Sequence, residues 1–404
     1  MAKIADSLAP AMVVVEYALQ YDKGEEPYLN GWLPNADYHS RKLGDLVRDE
    51  RPLGVPGWLI SRTEVITADP MIHPRFLKST KVRKGEQTVS AKPQAYGKIN
   101  QYAVILNLAQ PIKNAKPLAF DTKAEKPYLA VTQRRNNTIW TQIVKSLGEN
   151  VMVPEGKNPS FLTPACCLIV DQDAMPVGVN MNTRIFLGHA WKGMPKKAWT
   201  WISAKETQTL LASLQKRVDS GLFRITLGFR SPKKQPQSRQ RAVTEKQVLG
   251  LLADEKTLLI FAQLDPKITA RMNRIQVHVN EEKSVKASFA HTLKDYGAFI
   301  ATLDKPLSGA ITLSDKDILT FEDRLLPAVE LRIQGEKRVA YYQHRRIGGY
   351  QVGWRNHVYP RLYGMSSNIF LFDESDELLA LPITQRVTVR QEREDLQGPK
   401  LTAA

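Results

Sequence analysis

The sequence predicts an all-β protein made of two tandem units. Three observations carry this. Short runs rich in Val, Ile, Thr and aromatic residues, separated by turn residues, recur along the 404-residue chain. A single strongly helical stretch interrupts them near the middle. An ordered internal repeat relates the two halves. A chain of 45.6 kDa is long enough for two domains, each with its own core.

Taken in order, the first strand begins in Met12-Val13-Val14-Val15, and a long polar insertion, Asp22 to Glu50, follows it. Trp58-Leu59-Ile60 before Thr63 reads as another strand. The helix has a clear start, since Ser203 with Glu206 forms a capping box. Leu210, Leu211, Leu214 and Val218 give it one apolar face, and Gly221 can stop it. The domain boundary is expected near Ser220-Gly221, giving units of 1–220, with the helix at about 204–220, and 221–404. In the second unit a strand at Phe223 to Phe229 is again followed by a polar insertion, Ser231 to Gln240. Ala328-Val329-Glu330-Leu331-Arg332-Ile333 alternates apolar and charged side chains, the pattern of a half-solvated strand. Tyr341-Tyr342-Gln343-His344-Arg345-Arg346 and Trp354-Arg355-Asn356-His357 mix aromatics with cations. On a strand this pattern is expected to put the aromatics inside and the arginines in solvent, rather than to form a nucleic-acid surface.

The repeat fixes how the halves correspond. Asp69-Pro70 through Val89 can be laid without a gap on Asp265-Pro266 through Val285, sharing the basic Arg75 and Arg271 and the apolar Phe76 and Met272. One deletion later, Ala103-Val104-Ile105-Leu106 matches Ala298-Phe299-Ile300-Ala301. Leu168-Ile169-Val170-Asp171 has a counterpart in Phe370-Leu371-Phe372-Asp373, and Met12 to Tyr17 resembles Phe223 to Phe229.

Four segments of the first unit also resemble, in order, the framework of a known family. Val65-Ile66-Thr67-Ala68-Asp69-Pro70 is similar to "V-[LI]-T-A-x-H", with proline for histidine. Gln101-Tyr102-Ala103-Val104-Ile105-Leu106 is similar to "D-[IL]-A-[LV]-[LIV]", with glutamine for aspartate. Thr163-Pro164-Ala165-Cys166-Cys167-Leu168-Ile169-Val170 is similar to "G-[DN]-S-G-G-P-[LV]-[VL]", with alanine for serine. Asp173-Ala174-Met175-Pro176-Val177-Gly178-Val179 follows as the "D-G-x-[VL]-[VI]-G-[VI]" hairpin. The chain thus resembles the trypsin-like serine proteases, especially the bacterial Deg/Htr type, without their catalytic residues. The resemblance implies two trypsin-like units, each a pair of six-stranded antiparallel β-barrels, with a C-terminal helix closing the first unit. It covers 1–200 best and 221–390 more loosely, and leaves no room for a PDZ-like appendage.

In that family an imidazole takes the proton of a serine hydroxyl, and a carboxylate holds the imidazole in the right tautomer. Pro70 can neither accept nor deliver a proton, Ala165 has no hydroxyl, and Gln101 has nothing to orient. Thr163-Pro164 replaces the glycine turn of the oxyanion hole and removes a backbone N–H. His73 lies three residues too late and has no serine to help, so it reads as a turn histidine. By the repeat, the corresponding positions of the second unit are Pro266 (Leu264 in a shifted register), Tyr296 and Ser366. Gly364-Met365-Ser366 keeps the shape of a nucleophile turn, a tripeptide common by chance. His291, His344 and His357 occupy none of the family positions. The chain is therefore expected to be a non-catalytic protein- or peptide-binding or scaffold protein rather than an enzyme, with a hydrolase using Ser366 as an alternative.

The net charge of +16 is concentrated: residues 51–250 hold 31 Lys/Arg and 12 Asp/Glu. The clusters are Lys78, Lys81, Arg83 and Lys84; Lys192, Lys196 and Lys197; and Lys233, Lys234, Arg239 and Arg241. The first and last could bind anions, so a polyanion stands as an alternative partner to a protein or peptide ligand. Cys166 and Cys167 are adjacent, about 3.8 Å between α carbons, too close for an unstrained mutual disulfide. They read as small buried side chains. No Cys or His spacing suits a metal, and neither metal nor cofactor is expected. No apolar run is long enough to span a membrane. The first residues are too short in apolar stretch for a signal peptide, which favours the cytoplasm unless a leader has been removed. The family resemblance favours the periplasm or secretion.

Overall fold

The computed structural model describes residues 6–20, 43–70, 76–98, 103–120, 128–133, 139–146, 151–154, 167–171, 173, 175–180, 190–192, 200–231, 244–264, 266–293, 297–321, 324–352, 358–362, 369–383, 385–387 and 400–403. Two units, Met1–Glu206 and Thr207–Ala404, divide the chain.

The first six strands are β1 (Met12–Leu19), β2 (Leu53–Leu59), β3 (Glu64–Ala68), β4 (Leu77–Lys84), β5 (Gln87–Gly97) and β6 (Ala103–Leu108). Their order, β3-β2-β1-β4-β5-β6, closes through pairing of β3 with β6. Period-2 alternation explains why β1 sits there: Val13, Val15, Tyr17 and Leu19 are buried while Val14, Glu16 and Ala18 are only partly so. A second closed barrel repeats the order with β7 (Tyr128–Gln133), β8 (Ile139–Ser146), β9 (Val151–Pro154), β10 (Cys167–Val170), β11 (Pro176–Asn180) and β12 (Ala190–Lys192). Val131, Leu168, Val170 and Val179 of this barrel join the first barrel's core in one cluster. A short strand, β13 (Trp201–Ser203), then adds to β5.

The second unit contains a third closed barrel, of β14 (Leu222–Phe229), β15 (Glu245–Leu252), β16 (Thr257–Ile260), β18 (Met272–His278), β19 (Ser284–Leu293) and β20 (Ala298–Leu303), again in the same order. Between β16 and β18 lies β17 (Ala262–Leu264). The last strands are β21 (Leu325–Gln334), β22 (Lys337–Val352), β23 (Val358–Leu362), β24 (Ile369–Phe372), β25 (Leu378–Ile383), β26 (Gln385–Val387) and β27 (Lys400–Ala403). They form a six-stranded sheet, β23-β22-β21-β24-β25-β27, with the barrel order but no ladder between its end strands among the described residues. β26 instead pairs with β17 in parallel.

The all-β tandem expectation therefore holds, and the ladders show it in detail. Val13 faces Gly57 in the first barrel as Phe223 faces Gly250 in the third. A Cβ on Gly57 would lie 3.0 Å from Val15 and 3.3 Å from the Ile66 carbonyl; on Gly250 it would meet Ile225 and lie 3.3 Å from the Leu259 carbonyl. Register shifts also recur, between Ala18 and Leu19 as between Gly228 and Phe229, and between Pro93 and Ala95 as between Phe289 and His291. In the later strands Ile169/Val170 matches Leu371/Phe372. Bulges at equivalent places are features of a shared backbone plan rather than local accidents.

Two expectations shift by small amounts. The first strand of each half corresponds as Met12 to Leu222, one residue earlier than the sequence repeat gave, because both ladders are fixed by the shared glycine. The helix, Ala204–Gly221, does follow the first unit's strands, with Ser203 Oγ accepting from Glu206 N at 3.1 Å and Glu206 accepting from Ser203 N at 2.8 Å. Its buried Leu214 and Val218, however, cluster with Leu222, Leu249, Val329 and Phe370 of the second unit. The division accordingly falls at 206/207 instead of near 220. Arg338 donates to the carbonyls of Val218 and Leu222 and pairs with Asp219 at 2.7 Å, closing the helix's C-terminal end.

Candidate functional site

The only described member of the first unit's three expected site positions is Pro70. It follows β3, whose Val65, Ile66, Thr67 and Ala68 are fully buried between β2 and β6. Thr67 Oγ1 donates to the Pro56 carbonyl at 2.7 Å, satisfying a hydroxyl that burial would otherwise penalise. This rigid strand end delivers Asp69 and Pro70, both half-buried. Tyr96 on β5, held between Val104 of β6 and Ile202 of β13, stands near them. Burial, reinforced by the Asp69 carboxylate, pushes its phenol above the ordinary tyrosine range. This corner offers a protonated phenol as donor and a carboxylate as acceptor. The pyrrolidine of Pro70 has no site for a proton in transit.

Gln101, two residues ahead of β6, and Ala165, two ahead of β10, lie outside the described residues, as do His73, Cys166, Thr163 and Pro164. Cys167 opens β10 opposite Asn180. The hairpin that follows is well defined. Asp171, 7% exposed, accepts from the backbone N–H groups of Asp173 and Met175, both at 2.9 Å, and its own N–H reaches the Met175 carbonyl. Asp373, 1% exposed, makes the same set with Ser375 at 2.8 Å and Glu377 at 3.0 Å. Both are Asx turns stabilised by a buried carboxylate.

In the second unit the ladders correct one correspondence. Ile260 pairs with Phe299 as Thr67 pairs with Val104. Counting on from there, Pro70 corresponds to Gln263 of β17, rather than to Pro266 or Leu264. Pro266 opens a one-turn helix, Pro266–Thr269, three residues later. The gapless sequence match missed this because the run from β16 to β18 is two residues longer than that from β3 to β4: 262–271 against 69–76. Tyr296, Ser366 and His357 lie outside the described residues.

Of the basic cluster on β4, Lys78 and Lys81 are exposed. Arg83 pairs with Glu16 across the β1–β4 ladder at 2.5 Å. Lys84 turns inward and donates to the carbonyls of Ala9 and Met12, and burial lowers its pKa. Two of the four expected anion-binding cations are thus engaged by the protein itself. Lys233, Lys234, Arg239 and Arg241 lie outside the described residues, as do Lys196 and Lys197.

Sequence reasoning placed the arginines of the second unit's strands in solvent, and for Arg332 and Arg345 this is overturned; Arg355 and the side chain of Arg346 lie outside what the structure describes. Glu330 and Arg332 of β21 are 3% and 8% exposed, and Gln343 and Arg345 of β22 are 1% and 8% exposed. The pairings Glu330↔Tyr341, Ala328↔Gln343 and Leu326↔Arg345 put all four on one face. Burial is tolerable because Glu330 accepts from Arg332 Nε at 2.6 Å, neutralising both charges, and the Arg332 guanidinium sits 5.4 Å from the Tyr341 ring centroid. The Glu-x-Arg spacing, which puts opposite charges on one strand face, was the available signal. His344, on the opposite face, has its Nε2 shut from solvent without a hydrogen-bond partner, and burial pushes its pKa down to about 4.

No family model matches the chain, and no curated protein is similar to it in sequence. Among solved structures the chain is similar to Rv3671c of M. tuberculosis H37Rv, in an inactive serine-to-alanine mutant form. The identity is 12% and the TM-score 0.28, covering 52% of this chain and 90% of that one. A second structure, of the Rv3671c protease in an inactive form, gives 12% identity and a TM-score of 0.29 over 52% and 91%. The fold assignment rests instead on the repeated six-strand order and its bulges.

Proposed function

We propose that the chain is a catalytically inert, trypsin-like protein that binds an extended peptide or protein segment. The observation that carries this reading is Pro70 at the buried end of β3. The family's chemistry requires an imidazole there, and the residue present cannot move a proton. The sequence substitutions Gln101 and Ala165 point the same way. In the trypsin-like family an extended peptide pairs with a strand edge through main-chain hydrogen bonds, and by analogy losing the proton-transfer groups leaves that surface available. Fold alone does not dictate that use. The test is selection of displayed peptides on the full chain, followed by anisotropy titration and prolonged incubation. Saturable binding with the peptide recovered uncut is expected. Cleavage, or failure to select any saturable binder, would overturn it. Labelling by a fluorophosphonate that disappears in Ser366→Ala would instead make the chain a hydrolase.

A second reading has its own support. Lys81 and Lys92 share an exposed barrel face with Thr88 and Ser90 on the β4–β5 ladder, a surface suited to a polyanion. Heparin or single-stranded DNA would then bind with an affinity falling steeply with salt, and Lys81→Glu with Lys92→Glu would abolish it.

A further inference from the structure

The parallel pair β17–β26 stands apart from the barrel order. β17 is anchored: Ala262 is fully buried in the third barrel's core, and Leu264 packs partly against it. Among the described residues β26 belongs to none of the six-stranded sheets, and its ladder with β17 has three registered positions, Ala262↔Gln385, Gln263↔Arg386 and Leu264↔Val387. A parallel pair is slightly less stable per residue than an antiparallel one. More than a hundred residues of chain separate the two strands, so no tight turn enforces the pairing. Gln263, the partner of Arg386, is also the residue the ladders make equivalent to Pro70.

We propose that β17 is a strand-acceptor edge for an extended peptide, and that β26 is its resident occupant, supplied by the chain itself. The vacant position of the second unit is then covered from within by strand addition, with main-chain hydrogen bonds supplying the attraction. The external partner it fits is an extended peptide segment that can pair through its main chain with Ala262–Leu264. This inference rests on the peptide-binding reading above and assigns that activity an edge.

The experiment is exchange in trans. A fluorescein-labelled synthetic peptide of residues 382–390 is titrated by anisotropy into the full chain, and into full-chain variants with Gln385–Val387 replaced by Gly-Ser-Gly or carrying Arg386→Pro. The variants should bind the peptide at least tenfold more tightly than the unaltered chain, and a scrambled peptide should bind neither. Equal binding to all three proteins would place the peptide elsewhere and overturn the proposal. So would absence of binding by variants whose circular dichroism matches the parent. Unfolding of both variants would overturn it too, by making β26 an integral part of the fold. If library-selected peptides bind the parent while the 382–390 peptide never binds the variants, only this inference fails. If neither binds, the peptide-binding reading fails with it.

Discussion

Gly221, the last residue of the long helix, comes so close to Gly309 that a Cβ on it would lie 2.5 Å from the Gly309 carbonyl oxygen. The reverse contact is as tight, since a Cβ on Gly309 would sit 2.4 Å from Ser220 Cβ, and Gly309 also has φ of +96°. Gly221→Ala should therefore destabilise the chain by about 1–3 kcal/mol through overpacking against backbone. Gly309→Ala should cost more, because left-handed strain adds to the clash. Gly335→Ala is the control: its φ is +59° with nothing within 4 Å, so only the conformational penalty of about 1 kcal/mol applies. Urea midpoints rank the three, and a Gly221→Ala chain as stable as the parent would contradict the close approach.

The glycine also shows how far the sequence could be read. Gly221 was legible as the end of the helix, but as a conformational stop. Its structural reason is contact with a residue far along the chain, which no local pattern reveals. The first strand at Met12 to Tyr17, the capping box at Ser203 and Glu206, and the paired hairpins at Asp171 and Asp373 were all visible, because each is set by neighbours in sequence. The failures share the opposite property. Glu330 and Arg332 looked solvated because solvent exposure on a strand depends on what packs over that face. Gln263 was displaced by Pro266 because two added residues between the ladders leave a local Asp-Pro match intact while moving its register.

Acid should act on the second unit through His344. Its folded pKa, pushed by burial from 6.5 to about 4, means that the unfolded chain takes up a proton the folded ring refuses. Stability from this group is complete above pH 6.5 and is lost as pH falls toward 4, by roughly 3 kcal/mol in all. His344→Leu should flatten the dependence by about one proton between those limits, leaving the carboxylate contributions at lower pH in place. Urea denaturation of both proteins at pH 7.5, 6, 5 and 4 measures the difference, and parallel curves would refute the assignment.

The buried ion pair predicts strong non-additivity. Glu330→Ala leaves the Arg332 guanidinium, 9% exposed in its side chain, without its partner. The expected loss is about 3–5 kcal/mol, whereas Glu330→Met with Arg332→Leu should cost far less, since two apolar side chains need no neutralisation. A double variant as unstable as the sum of the single ones would show that the pair is not coupled.

The two Asx hairpins permit a matched comparison within one chain. Asp171→Ala and Asp373→Ala each strip the acceptor from two backbone N–H groups at a part-buried turn, an expected loss of about 1–3 kcal/mol apiece. Asp373 also pairs with Lys316, but the ammonium side is 44% exposed, so that contact should add little to the difference. Asn at either position keeps an oxygen where Oδ1 accepts and should recover most of the loss. Because the turns hold strands in register rather than touch a ligand, the alanine variants should lower the urea midpoint and leave peptide affinity unchanged at temperatures where they stay folded. A selective loss of affinity in folded Asp171→Ala would move that hairpin from the scaffold into the binding site.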